Sequence, residues 1–196
     1  MREDALNDVA LVEAARDGSE EAFRELVARY ENRVASVVIR MLGDTPEAED
    51  VGQETFIRFY RGLRRFRGQA SVGTYLTRIA INLSLTELKK RRRRSIFVPF
   101  TPPGGEHDAP ELDYADPAAS AEYDDTADRI QAALHRLKPE FRSVIVLRLM
   151  EGYSTKETAG LLGLPIGTVL SRLRRSQEKL KRMLISTNRE LVHETV

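Results

Sequence analysis

Residues 151–169 read Glu151-Gly152-Tyr153-Ser154-Thr155-Lys156-Glu157-Thr158-Ala159-Gly160-Leu161-Leu162-Gly163-Leu164-Pro165-Ile166-Gly167-Thr168-Val169. Ser154 and Glu157 have capping-box spacing, in which a hydroxyl and a carboxylate three residues apart satisfy each other's free backbone N–H groups. A helix therefore opens at Ser154. Gly163 permits a sharp turn, and Pro165 sits at the first turn of the next helix, where a missing N–H costs nothing. Two helices joined by so short a turn form a helix-turn-helix. Gly160, inside the first of them, costs about 1 kcal/mol of helix propensity unless a close helix contact needs it.

Along the second helix, Val169, Leu173, Leu180 and Leu184 fall on one stripe at about 100° per residue. The opposite face presents Ser171, Arg174, Arg175 and Arg182, with Thr168 and Arg172 on one flank. Hydroxyls and guanidinium groups suit the base edges and phosphates of a DNA major groove. An ordinary helical hairpin with a solvated basic face has the same outline. Capping, turn, polar face and local charge together favour DNA recognition.

The charge pattern extends this reading outward. The 196 residues carry 31 Lys plus Arg against 30 Asp plus Glu, a net of +1. Residues 126–196 alone have a net charge of +6, and residues 1–94 a net of +3. Between them, residues 95–125 hold no Lys or Arg and eight acids, among them Glu106, Asp108, Glu111, Asp113 and Asp116. Five of the eight prolines and the Gly104-Gly105 pair lie there too. Fixed φ angles, missing donors and mutual repulsion predict a flexible acidic linker between two basic domains, 1–94 and 126–196. Such asymmetry points to polyanion binding more than to small-molecule catalysis.

The first domain also reads as helical. Ser19 caps a helix with Glu20 and Glu21 in its first turn, and Phe23, Leu26, Val27, Tyr30, Val34, Val37, Val38 and Met41 follow at helical spacing until Gly43. Asp44-Thr45-Pro46-Glu47 opens a second helix, and a third begins near Ser71 and runs into Lys89-Lys90-Arg91-Arg92-Arg93-Arg94. No sustained period-two alternation is present, so the expected fold is all-α: two small helical domains.

On the helix from about 47 to 63, Ala48, Gly52, Phe56, Phe59 and Leu63 are expected to face the core. Asp50, Gln53, Glu54, Ile57 and Arg61 lie on the other side, an apolar side chain amid charges, as at a protein-docking site. The loop Phe66-Arg67-Gly68-Gln69-Ala70-Ser71 precedes a helix bearing Tyr75, Arg78 and Asn82. Its basic end either complements the helix dipole or clamps phosphates, and rings beside cations can hold unstacked bases.

Other classes are excluded. His107, His135 and His193 lack ligand-like spacing, and no nucleophile elbow or phosphate-binding loop occurs, so no metal, cofactor, small-molecule substrate or catalytic residue is expected. Without Cys, and with no apolar run of the ~18–20 residues that cross a bilayer, the chain reads as an intracellular protein not inserted in a membrane.

These motifs, in this order, resemble a bacterial sigma-70 family RNA polymerase sigma factor of the extracytoplasmic-function (group 4) subgroup. Ala48 to Phe56, Phe66-Arg67-Gly68 and Arg78 to Leu83 look like region 2, and Glu151 to Leu173 looks like region 4. The resemblance implies a cytoplasmic transcription initiation factor that binds core RNA polymerase, directs it to minus-35/minus-10 promoter DNA and assists strand opening. It assigns Asp50, Gln53, Glu54, Ile57 and Arg61 to core polymerase. It assigns Phe66, Arg67, Gly68, Gln69, Ala70, Ser71, Tyr75, Arg78 and Asn82 to the minus-10 element. Thr168, Ser171, Arg172, Arg174 and Arg175 fall to the minus-35 element, and the acidic linker to a polymerase channel. An anti-sigma factor is a further implied partner, able to hold the protein at the membrane. Leu170 departs from a frequently basic position, Tyr75 from a common Trp, and Val72, Gly73 and Thr77 from positions that are often aromatic. Gly52 stands where a larger apolar residue is commoner. The alternative is a stand-alone helix-turn-helix regulator with a sensory N-terminal domain, which would bind operator DNA without polymerase.

Overall fold

A computed structural model describes the backbone of residues 2–96 and 126–194 and the side chains of 7–94 and 126–185. Among the described residues the regular structure is helical, without strands. By compactness the chain divides into residues 1–84 and 85–196, the division falling inside one continuous helix. Residues 97–125, nearly all of the expected linker, lie outside the described residues.

The first unit contains α1 (Arg2–Arg16), α2 (Glu20–Leu42), α3 (Pro46–Gly62), a 3₁₀ turn (Leu63–Arg65) and the start of α4 (Val72–Ile96). Local chemistry sets these boundaries. Ser19 Oγ accepts from the Ala22 N–H at 3.2 Å, and Thr45 Oγ1 accepts from the Ala48 N–H at 3.3 Å, with Pro46 next in line. Gly43 closes α2, its N–H donating to the Ile39 carbonyl at 2.8 Å. The core fills with Leu26, Val34, Val37, Val38, Met41 and Leu42 of α2 against Phe59 and Leu63. Asp8 of α1 ties the bundle together: its carboxylate pairs with Arg29 at 2.8 Å and accepts a hydrogen bond from the Tyr30 hydroxyl. Burial first, and that hydrogen bond second, push the Tyr30 phenol above its ordinary range.

Helix α3 is rotated from the expected orientation. Its buried line runs Ala48, Val51, Thr55 and Phe59, while Gly52 and Phe56 are only half-buried. Thr55 can occupy the core because its hydroxyl donates to the Val51 carbonyl at 2.8 Å, leaving no unsatisfied polar group. Val72, Gly73 and Thr77 are likewise buried. A Cβ on Gly73 would meet Arg33 Nη1 at 2.9 Å and the Tyr30 ring at 3.0 Å, so α4 approaches α2 through the missing side chain.

The second unit comprises α5 (Thr126–His135), α6 (Pro139–Ile145), a π-helical turn (Val146–Met150), α7 (Thr155–Leu162) and α8 (Ile166–Glu194). Leu134, Leu137 and Ile145 form one apolar cluster with Leu173 and Leu180; Val144, Ala159 and Val169 form another. Arg142 lies fully buried between them in sequence and donates to the His135 and Leu137 carbonyls, the latter at 3.2 Å. It thereby satisfies carbonyls at the end of α5 and in the turn that follows.

Gly160 in α7 is exposed, and a Cβ there would meet nothing within 4 Å. No helix contact requires this glycine. Gly160→Ala is therefore expected to stabilise the second unit by about 1 kcal/mol, measured by denaturant unfolding. A neutral or destabilising result would show that α7 gains nothing from the added propensity.

Candidate functional site

The helix-turn-helix is built by local hydrogen bonds. Ser154 Oγ accepts from the Glu157 N–H at 3.2 Å, and the Ser154 N–H donates to Glu157 Oε2 at 2.8 Å. These bonds hold the Glu157 carboxyl below the usual carboxylate range, the Ser154 side chain contributing most. Gly163 turns the chain with φ +64°, the left-handed region, and the Leu164 N–H returns to the Ala159 carbonyl at 3.0 Å. Pro165 stands just ahead of α8 instead of within its first turn, its carbonyl accepting from Thr168 at 3.0 Å and Val169 at 3.1 Å.

That frame aims the first turns of α8 outward. Ser171, Arg174 and Arg175 are exposed, and Thr168 and Arg172 are half-buried on the flank. Arg174 Nε pairs with Glu178 at 3.1 Å on the surface, and the Ser171 hydroxyl donates to the Thr168 carbonyl at 3.0 Å. Ser176, which the apolar periodicity passes over, is fully buried. Its hydroxyl donates to the Arg172 and Leu173 carbonyls at 2.7 and 2.8 Å, so it completes the inward stripe between Leu173 and Leu180.

In the first unit, α3 presents Asp50, Gln53, Ile57 and Arg61 to solvent, with Glu54 half-buried and bound to Arg58 at 2.8 Å. Ile57 is 44% exposed, and Tyr60 beside it is 53% exposed. Sequence reasoning omitted Tyr60, although it extends Gln53 and Ile57 at helical spacing. Its ring stands edge-on to Phe23, centroids 4.9 Å apart, which fixes half of a small apolar centre.

The loop between α3 and α4 differs most from expectation. Phe66 is not a free ring in a polar loop: it packs T-shaped on Tyr75 at 5.2 Å and on Phe59 at 6.3 Å. Phe66 and Tyr75 thus anchor the loop, while Arg67, Gly68, Gln69 and Ala70 are exposed. Ser71 is spent on capping α4, its Oγ accepting from the Thr74 N–H at 3.2 Å. Arg78 and Asn82 are exposed one turn apart along α4, which carries Lys89 to Arg94 as helix.

Arg16, at the end of α1, is a residue that the sequence reading missed. Its guanidinium donates to the Leu63 carbonyl at 3.3 Å and the Phe66 carbonyl at 2.7 Å, gripping the start of the loop. No local pattern marks it, because its partners lie about fifty positions away. Arg16→Ala is expected to speed amide exchange across residues 63–71 roughly tenfold, since bonds to a charged donor hold such segments. Unchanged exchange would mean that the aromatic anchors alone hold the loop.

Among the described residues, no group of three or more His, Cys, Asp or Glu side chains could hold a metal ion, and no helix is long and apolar enough to cross a membrane.

Comparison with known proteins bears on both parts of the chain. Residues 26–94 match the model for Sigma-70 region 2, and residues 127–180 match the model for Sigma-70, region 4. The chain is 34% identical over 193 residues to the RNA polymerase sigma-H factor of Pseudomonas aeruginosa, covering 93% of this chain and 96% of that protein. It is 34% identical over 187 residues to the ECF RNA polymerase sigma-E factor of Escherichia coli, covering 89% and 93% respectively. Among solved structures, CnrH in complex with the cytosolic domain of CnrY matches with a TM-score of 0.65 at 25% identity, over 92% of this chain and 98% of that one.

Proposed function

The chain belongs to the sigma-70 family of transcription initiation factors, in the extracytoplasmic-function subgroup, and from that premise we propose which of its surfaces performs each step. It binds core RNA polymerase and directs it to promoter DNA. The core polymerase docks on the outer face of α3, through Asp50, Gln53, Glu54, Ile57 and Arg61, with Tyr60 added to the apolar centre. The loop from Phe66 to Ser71, with Tyr75, Arg78 and Asn82, handles the minus-10 strand. Here Arg67, Gln69 and Ala70 are the outward groups, and Phe66 and Tyr75 shape the loop. The helix α8 face of Thr168, Ser171, Arg172, Arg174 and Arg175 enters the minus-35 major groove.

Region 2 work falls to residues 1–94 and region 4 work to 126–196, joined by the acidic segment 95–125. The protein acts by binding, without a catalytic step of its own, and works in the cytoplasm. An anti-sigma factor holds it in reserve, at the membrane where that partner spans it. CnrH, bound to the cytosolic domain of CnrY, supports a protein partner of this kind.

The observation that carries the assignment is the pairing of an exposed Ile57–Tyr60 centre on region 2 with an outward basic face on region 4. Transcription reconstituted with core polymerase on a promoter library tests the whole reading; a stand-alone regulator would bind duplex DNA unaided and give no initiation. Ile57→Ala is expected to weaken binding to core polymerase about tenfold or more, and Gln53→Ala less, with helical content unchanged. Wild-type affinity in both variants would remove this face from the interface.

A further inference from the structure

One feature of α8 has no part in the polar readout just described. Ile166 and Leu170 are 50% and 51% exposed at the very start of the helix, four residues apart and so on one side of it. Arg174 follows Leu170 by four residues, so the two share one side of α8. One turn earlier stands Gly167, exposed and without a side chain, where an added Cβ would meet nothing within 4 Å. The helix thus begins with a shallow notch, bordered by a leucine on one side and a hydroxyl on the other.

A lone exposed leucine is ordinary. Two aliphatic side chains at the end of a recognition helix that enters the groove first are a different matter, because the N-terminal residues of such a helix are the ones that touch base edges. Among the groups displayed in the major groove, the thymine C5-methyl is the apolar one. Leucine offers no hydrogen bond, so a cytosine, adenine or guanine edge placed against it would lose water and gain nothing.

We propose that Leu170, with Ile166 behind it, selects thymine at one minus-35 position by packing on the C5-methyl group. The inference rests on the assignment of α8 to the minus-35 element. It adds to that assignment a contact with the methyl group, which a guanidinium donor does not read. The Gly167 notch lets the base edge approach the backbone closely enough for the contact.

The test uses holoenzyme and a promoter selected from a library, with each minus-35 thymine replaced in turn by deoxyuridine, which lacks only the methyl group. Wild-type holoenzyme should lose about fourfold in affinity at one such position, the effect of one methyl removed from water. Leu170→Ala should bind the thymine promoter more weakly by a similar factor or more, and should no longer distinguish thymine from deoxyuridine at that position. Leu170→Met, which keeps an apolar side chain, should retain the distinction. If wild type binds every deoxyuridine promoter equally, or if Leu170→Ala keeps the full methyl effect, the proposal is overturned. A scrambled minus-35 element separates the two levels. Holoenzyme indifferent to scrambling would overturn the region 4 assignment and this inference with it. Sensitivity to scrambling without any methyl effect would overturn this inference alone.

Discussion

Phe59→Ala is expected to destabilise the first unit strongly and with it to weaken binding to core polymerase. Phe59 is fully buried on α3, and its ring lies 6.0–6.3 Å from those of Phe23, Phe66 and Tyr75. It therefore sits beneath both proposed surfaces of this unit: the outer face of α3 and the loop that Phe66 and Tyr75 anchor. Truncating a buried phenylalanine costs about 3–5 kcal/mol, a large share of the 5–15 kcal/mol that stabilises a typical domain. For a unit of this size, each kcal/mol lowers the melting temperature by about 4–8 °C, so a fall of at least about 12 °C is expected. Thermal unfolding followed by circular dichroism, with core affinity measured in parallel, gives the answer. A variant that melts like wild type would place the ring outside the cooperative core.

The second large effect falls on Arg175. Arg175→Ala should lower affinity for a promoter with an intact minus-35 element by about 10–100-fold, as one base contact contributes about 1–3 kcal/mol. Its neighbours are less decisive. Arg174 is engaged with Glu178 in a surface pair of the kind that contributes roughly 0–1 kcal/mol, and replacing it frees a carboxylate on the DNA-facing side. Arg172 is half-buried, so truncating its side chain mixes recognition with helix packing. Holoenzyme affinity for intact and scrambled minus-35 promoters separates the roles. An equal loss on both would make Arg175 a phosphate contact without sequence preference, whose effect shrinks as salt rises.

The two surfaces differ in how much of them can be read from sequence. The outward residues of α8 follow from periodicity alone, because a long amphipathic helix has one apolar stripe and everything opposite it is exposed. The same reasoning on α3 locates Asp50, Gln53, Ile57 and Arg61, and places Ala48, Phe59 and Leu63 in the core, but errs on the rest of the buried line. Gly52 and Phe56 look inward by composition, yet Val51 and Thr55 take the buried line. A threonine reads as polar until its hydroxyl is seen returning to a carbonyl four residues back. Tyr60 is absent from that reading, and the structure shows its ring covering Phe23 while it keeps one face in solvent.

What the sequence determined by itself is the part of the protein governed by contacts between near neighbours: the all-α class, the starts of α2, α3 and α7 at Ser19, Thr45 and Ser154, and the helix-turn-helix with its left-handed Gly163. These depend on caps and turns whose partners lie within five residues, so the order of residue types carries them in full. Only the tertiary structure decided the rest: the rotation of α3, the packing of Phe66 on Tyr75, the grip of Arg16 on the loop, the burial of Arg142 and the close approach that requires Gly73. In most of these the partner belongs to another element. Which side chain is buried, and which carbonyl needs a donor, is set by the surface that happens to lie opposite, and a one-dimensional pattern holds no record of that surface.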